Sequence, residues 1–142
     1  MSTLAASAAS ARIVKVLPHF LDLEGRHALS PSLYDRDAYQ ARLREHPELR
    51  SGLRLDVQWR ARTGRPTALK LRVELRGSAR GDWPTQTALE TTVQVGRSGV
   101  GSGWAHLSLT GEEYRKFGEL TAWRATLWDG ETLLAEQKSF LW

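Results

Sequence analysis

The sequence contains no cysteine among its 142 residues. This absence excludes disulfides, thiolate metal sites and cysteine nucleophiles, and it is compatible with the cytoplasmic location that we expect. The chain also lacks any apolar run near the ~20 residues that a membrane-spanning helix needs, so we expect no membrane partner. Its length fits one domain with a sizeable hydrophobic core.

Long runs of one charge are also missing. Lys and Arg together number 20 and Asp and Glu number 16, which gives a net charge of +4, and no block of five like charges occurs. Because Arg alternates with Asp and Glu along most strand-like segments, the pattern favours solvated strand faces over a dedicated polyanion groove.

Residues 1–11 are rich in Ala and Ser and contain neither Lys nor Arg. We predict that they form a disordered tail, with the domain occupying residues 12–142. Because small residues of this kind also occur at signal-peptide cleavage sites, a secreted protein is the alternative to a cytoplasmic one.

The strongest pattern in the chain is apolar–polar alternation from Leu53 to Arg76, broken only around Gly64 and Pro66. Alternation with a period of two is typical of a strand with one face in a core and one in water. Gly and Pro favour the turn between two such strands. The predicted inward faces are Leu53, Leu55, Val57, Trp59 and Ala61, and then Leu69, Leu71, Val73 and Leu75.

Five further segments have strand character, which makes seven in all. They cover residues 12–23, 87–95, 104–109, 119–128 and 132–142, and residues 77–86 are predicted as a loop. Pro18 predicts an edge strand or a break, because it cannot donate to a ladder. Residues 96–103 are glycine-rich, and they favour a flexible hairpin over a phosphate-binding loop because no helix follows them. Asp129 and Gly130 predict a tight final hairpin.

Residues 24–50 interrupt the strand rhythm and predict a short helix. Ser32 and Asp35 fit a capping box, Tyr34, Tyr39 and Leu43 can form an apolar stripe, and Pro47 ends the helix. We expect this insertion either to cover an open end of the sandwich or to carry a binding site. A second capping box at residues 110–113, closed by Gly118, predicts a helical turn that crosses from one sheet to the other.

The order of these features resembles the immunoglobulin-like and fibronectin type III-like superfamily over residues 12–142. Trp59 on the second strand is similar to the core tryptophan of fibronectin-type modules, and the turn around Tyr114 is similar to the link before their sixth strand. The chain departs from that pattern in the inserted helix and in having Trp123 or Trp128 where the sixth strand would carry tyrosine. The seven alternating segments, with turns at the spacing expected of a sandwich, predict an all-β, two-sheet antiparallel β-sandwich, and the resemblance implies the same fold. Because such modules bind or space other proteins more often than they catalyse, it also implies a non-catalytic interaction or structural role.

Exposed aromatic residues are the candidates for that role. The candidate interaction residues are Trp83, Trp128, Phe140, Leu141 and Trp142. Trp83 either plugs the rim of the core or anchors a partner. The segment ending in Phe-Leu-Trp either closes the core or forms an edge strand that augments a partner or a second copy, so a homodimer is an open alternative.

The sequence offers no reaction centre, so we expect a non-enzyme with no cofactor, no metal ligands and no catalytic residues. The histidines His19, His27, His46 and His106 show no metal-ligand spacing, and His106 is predicted at the surface. A carboxylate–histidine cluster in the insertion, built from His27 and His46 with Asp35 and Asp37, is the remaining enzymatic alternative.

A weakly basic nucleic-acid or polyanion-binding domain is the alternative function. Its candidate contacts are Arg54, Arg60, Arg62, Lys70, Arg72 and Arg76. A fibronectin-like strand order would put the second and third strands in different sheets and scatter these charges, so nucleic acid is the less favoured partner.

Overall fold

The computed structural model describes residues 9–142, and within them seven strands form two antiparallel sheets. The strands are β1 (Ser10–Asp22), β2 (Arg50–Arg62), β3 (Thr67–Ala79), β4 (Trp83–Val95), β5 (Val100–Thr110), β6 (Glu119–Asp129) and β7 (Thr132–Lys138), and the helices are α1 (Leu33–Glu45) and α2 (Gly111–Phe117). One sheet has the order β1-β2-β5 and the other β4-β3-β6-β7. The predicted all-β sandwich is therefore confirmed. Most of the tail predicted for residues 1–11 lies outside the described residues, and β1 already begins at Ser10.

The predicted inward faces form the core between the two sheets. Leu55, Val57, Leu71 and Val73 are completely buried, and Trp59 is nearly so. Each of these residues alternates with a polar neighbour whose side chain faces outward. The period-two pattern therefore identified the core of the central strands correctly.

The strands β2 and β3 are consecutive but belong to opposite sheets. The turn between them packs on the turn between β4 and β5, where the amide of Thr63 donates to the carbonyl of Gly99 at 2.7 Å. Gly99 has φ +73°, and a Cβ there would press on the backbone of Gly64. The hairpin prediction for residues 96–103 is wrong, because β4 and β5 lie in opposite sheets and β5 starts at Val100.

The actual hairpin in this region joins β3 to β4. Both strands continue through residues 77–86, which were predicted as a loop, and only Arg80–Asp82 forms the tip. Full pairing from Thr67↔Val95 to Ala79↔Trp83 extends the strands. Pro84 does not stop β4, because β4 is an edge strand and tolerates a missing donor, and β3 continues through Gly77, which pairs with Thr85.

The other local signals are largely confirmed. β1 is an unbroken edge strand despite Pro18. The hydroxyl of Ser32 accepts the amide of Asp35 at 3.3 Å and caps α1. α2 crosses between the sheets and ends at Gly118 with φ +82°. Its predicted capping box is wrong, because the Thr110 side chain makes no cap hydrogen bond.

Candidate functional site

Most of the predicted interaction residues lie at one edge of the four-stranded sheet, the edge formed by β7. In the described part of the chain, β7 hydrogen-bonds only to β6, and β1 of the other sheet lies beside it without joining the ladder. The strand ends at Lys138, four residues earlier than predicted. Phe140 is 100% exposed and Leu141 is 72% exposed. The core-closure alternative is therefore wrong for these two side chains.

A local turn explains why the apolar residues leave the core. The amide of Ser139 donates to the carbonyl of Trp123 at 2.9 Å, and the Ser139 hydroxyl accepts the amide of Trp123 at 2.9 Å. The amide of Trp142 then donates back to the carbonyl of Ser139 at 3.1 Å. This turn ends the pairing with β6 and directs Phe140 into solvent.

The backbone groups on the free side of β7 can be assigned from the ladder. Ser139 bonds to Trp123, and in an antiparallel ladder the bonded pairs recur every second residue. Gln137, opposite Ala125, therefore also faces β6. The amides and carbonyls of Glu136 and Lys138 must then point away from β6, toward the open edge. We call β7 together with Ser139–Trp142 the β7 edge.

Two further candidate interaction residues, Trp142 at the β7 edge and Trp128 on the neighbouring strand β6, are held by polar contacts. The Trp142 ring stacks on the guanidinium of Arg76, 3.7 Å from the ring centroid. The indole of Trp128 donates to the Thr126 hydroxyl at 2.9 Å, and both rings are half-buried. They lie on the outer face of the four-stranded sheet and support the β7 edge.

Trp83 lies away from this group. It is the first residue of β4, opposite Ala79 beside the β3–β4 tip, and it is 71% exposed. Of the two alternatives for Trp83, the one in which it plugs the core rim is therefore wrong. An exposed indole at a hairpin tip can contact a partner, but the β7 edge is at the opposite margin of the same sheet.

A polar cluster that the sequence did not reveal lies on the outer face of the three-stranded sheet. The carboxylate of Asp56 accepts from Arg54 at 2.8 Å, contacts His106 Nδ1 at 2.6 Å and lies 3.3 Å from His19 Nε2. His27 stacks near His19 with ring centroids 5.3 Å apart. His19 of β1 and His106 of β5 are both far from Asp56 in the sequence. The only sequence signal for the cluster was therefore a polar residue at each outward position.

Burial and pairing set the charges of this cluster. Burial would raise the pKa of Asp56, but hydrogen bonds from Arg54 and His106 outweigh it and hold that pKa below its usual value. Burial lowers the pKa of His19, and the nearby Asp56 carboxylate opposes this only in part. The Asp56 carboxylate thus has its oxygens occupied by Arg54, His106 and His19, and the cluster has the geometry of a structural ion pair.

The carboxylate–histidine cluster predicted in the insertion does not form. His27 joins His19, whereas His46 pairs with Glu48 at 3.1 Å. Asp35 accepts from Ser30 and Asp37 pairs with Arg36. Across residues 9–142, no group of three or more His, Asp or Glu side chains has an arrangement that could hold a metal ion.

The insertion instead closes one margin of the three-stranded sheet. The Gln40 side chain of α1 accepts the amide of Phe20 at 2.7 Å and donates to the Phe20 carbonyl at 2.9 Å. It therefore bonds the open edge of β1 as a partner strand would. Tyr34, expected in the apolar stripe, is 82% exposed, while Leu43 is fully buried. A cleft of ≈ 430 Å³ remains beside Phe20 and Gln40.

The six basic candidate residues do not form one surface. Arg54, Arg60 and Arg62 lie on β2, and Lys70, Arg72 and Arg76 lie on β3 in the other sheet. Most of this set also has a partner. Lys70 and Arg72 pair with Glu90 at 3.5 and 2.7 Å. The six-residue surface is therefore divided between the two outer faces of the sandwich.

Comparison with known proteins finds no matching family model, no matching curated protein and no matching solved structure. None of the helices in residues 9–142 combines the length and apolar character needed to cross a membrane.

Proposed function

We propose that the chain is a non-catalytic interaction module of the fibronectin type III-like kind, acting in the cytoplasm and pairing with a second copy of itself through the β7 edge. The strand order β1-β2-β5 and β4-β3-β6-β7 supports the fibronectin type III-like part of this proposal. The observation that carries the interaction is the pair of exposed apolar side chains, Phe140 and Leu141, beside an unpaired strand.

β7 also lacks the proline and glycine residues found in the other outer strands, although a bulge at Leu134 interrupts its ladder with β6 and β1 lies beside it. β1 contains Pro18 and is covered by Gln40, β4 contains Pro84, and β5 contains Gly101 and Gly103. Natural sheets protect their edges with such residues. β7 has neither proline nor glycine, and its outward backbone groups at Glu136 and Lys138 can accept another strand.

The sequence of β7 favours a second copy as that strand. A two-fold axis through Gln137 would place Glu136 of each copy opposite Lys138 of the other, so that both pairs join opposite charges across the antiparallel ladder. These are also the two residues whose backbone groups face outward, so the register satisfies charge and hydrogen bonding together. A two-fold arrangement of this kind is isologous and closes as a dimer.

Charge reversal tests both the surface and its register. Lys138→Glu places glutamate opposite Glu136 of the other copy, and Glu136→Lys places lysine opposite Lys138. We expect each variant alone to be monomeric by light scattering, because like charges face each other twice in its dimer. Mixed together, the two variants should restore a dimer, since every cross-strand pair is again opposite in charge.

Melting curves provide the folding control. Lys138→Glu changes an exposed residue, so its melting temperature should lie close to that of the wild-type monomer. Glu136→Lys also removes the ion pair of Glu136 with Arg124, so its melting temperature should be slightly lower. Removing Phe140–Trp142 should abolish association while lowering stability only slightly. A wild-type chain that remains monomeric at high concentration, or a mixture that fails to dimerise, would contradict the proposal.

A further inference from the structure

The outer face of the three-stranded sheet carries four basic side chains that the register brings together. Arg12 of β1 lies directly opposite Arg60 of β2, Lys15 lies opposite Gln58, and Arg62 follows Arg60 on the same face. Neighbouring strands are about 4.8 Å apart and alternate residues along a strand about 6.6 Å apart. The four charges therefore share a surface only a few residues wide.

These charges have no acidic partner among the described residues. No Asp or Glu oxygen lies within 4.0 Å of Arg12, Lys15, Arg60 or Arg62 there, although ion pairs are frequent on the outer face of the other sheet. Like charges directly opposite one another destabilise a sheet. An unneutralised arginine pair at Arg12 and Arg60 is therefore a cost to the fold with no internal compensation.

On the outer face of the four-stranded sheet, by contrast, most basic side chains have a partner. Arg72 pairs with Glu90 at 2.7 Å, Arg124 pairs with Glu136 at 2.6 Å, and Arg76 stacks on Trp142. On the outer face of the three-stranded sheet Arg54 pairs with Asp56, but Arg12, Lys15, Arg60 and Arg62 have no acidic partner within residues 9–142. These four residues thus keep a concentrated positive potential that attracts anions.

The same surface also contains the exposed indole of Trp104 and a shallow concave space. Trp104 of β5 lies opposite Gln58, in the row next to Arg60, and is 45% exposed. A concave space of ≈ 460 Å³ is lined by Arg12, Arg60 and Arg62 together with the small residues Ser10 and Ser102. We call Arg12, Lys15, Arg60, Arg62 and Trp104 the basic platform.

We propose that the basic platform binds single-stranded nucleic acid. Arginine and lysine side chains contact phosphates, and an exposed aromatic ring stacks on an unpaired base, which together define sequence-tolerant single-strand binding. A flat sheet face presents no helix or ribbon that could enter a duplex groove. Acidic peptides share the negative charge but have no base to stack on Trp104.

Fluorescence anisotropy with labelled oligothymidine and oligouridine, measured over a salt series, tests this directly. The wild-type chain should bind more tightly as salt falls. Arg60→Gln with Arg62→Gln should weaken binding by roughly tenfold at low salt and reduce the salt slope by about 1.4, since each lost phosphate contact contributes about 0.7. Trp104→Ala should weaken binding by roughly tenfold with the salt slope unchanged.

The neutralised face provides the matched control, because Lys70→Gln with Arg72→Gln removes the same formal charge from the other sheet. That pair should leave affinity nearly unchanged. Equal losses from both charge pairs, or full competition by polyglutamate with no effect of Trp104→Ala, would overturn the proposal in favour of a general polyanion effect. Failure to bind either oligonucleotide at low salt would also overturn it, as would binding confined to vesicles containing phosphatidylserine.

Discussion

At the scale of single residues, Asp22 holds the start of the insertion in place. One carboxylate oxygen accepts the amides of Glu24 and Arg26 at 2.9 and 2.8 Å, and the other accepts the Tyr39 hydroxyl at 2.6 Å and Arg26 Nε at 3.0 Å. Burial works against the charged form, but these hydrogen bonds outweigh it and lower the pKa of Asp22 to about 2.

The depressed pKa of Asp22 predicts a loss of stability in acid. A carboxyl whose pKa falls from 3.8 to about 2 on folding stabilises the native state fully above pH 3.8 and loses that contribution as the pH falls through about 2. Asp22→Asn should therefore lower the free energy of unfolding by about 2 kcal/mol at neutral pH. Urea titrations at several pH values measure this, and the variant should depend less on pH than the wild type below pH 4.

Asp37→Asn is the control, because that carboxylate is exposed and pairs only with its neighbour Arg36. It should change stability little at neutral pH. If Asp22→Asn is as stable as this control, the hydrogen-bond account of Asp22 is wrong.

At the scale of elements, α1 acts as a cover for the exposed margin of β1. Gln40 bonds both backbone groups of Phe20, and its amide also donates to the carbonyl of His27 at 2.8 Å. Arg50 holds the other end of the helix by donating to the carbonyls of Leu43 and Arg44, each at 2.6 Å. Because Gln40 bonds β1 and Arg50 of β2 bonds the last turn of the helix, the insertion has the character of a cap.

Removing the Gln40 amide should loosen this cover. Gln40→Ala leaves the amide and carbonyl of Phe20 and the carbonyl of His27 without their partner, which should cost about 1–3 kcal/mol. Hydrogen exchange should show faster exchange of the Phe20 amide than in the wild type. Gln86→Ala on the exposed part of β4 is the matched control, and equal effects of both changes would refute the role assigned to Gln40.

At the scale of the whole molecule, the sandwich separates two surfaces. The β7 edge belongs to the four-stranded sheet and the basic platform to the outer face of the three-stranded sheet. They share no residue, although β1, which carries Arg12 and Lys15, lies beside β7. Because the platform side chains face outward from the three-stranded sheet, we expect self-association and nucleic-acid binding to be independent. Lys138→Glu should therefore keep the oligonucleotide affinity of the wild type, and Arg60→Gln with Arg62→Gln should keep its solution mass. A loss of both properties from either change would show that the two surfaces are coupled.

How much the sequence predicts differs between the core and the surface. The inward faces of β2 and β3 could be read directly, because alternation depends only on local backbone geometry. The basic platform could not, because Arg12, Arg60 and Trp104 become neighbours only through the pairing of β1 with β2 and of β2 with β5. The same holds for His19, Asp56 and His106.

The sequence by itself determined the seven strands, the core-facing side of the central ones, the capped helix of the insertion and the absence of cysteine chemistry. Each depends on residues close together in the chain, whose turn, cap and alternation preferences are local. Only the tertiary structure decided that Phe140 leaves the core, that the turn before Val100 joins opposite sheets, and that basic residues of separate strands share one face. These follow from strand order and register, which are fixed by pairings between residues distant in sequence.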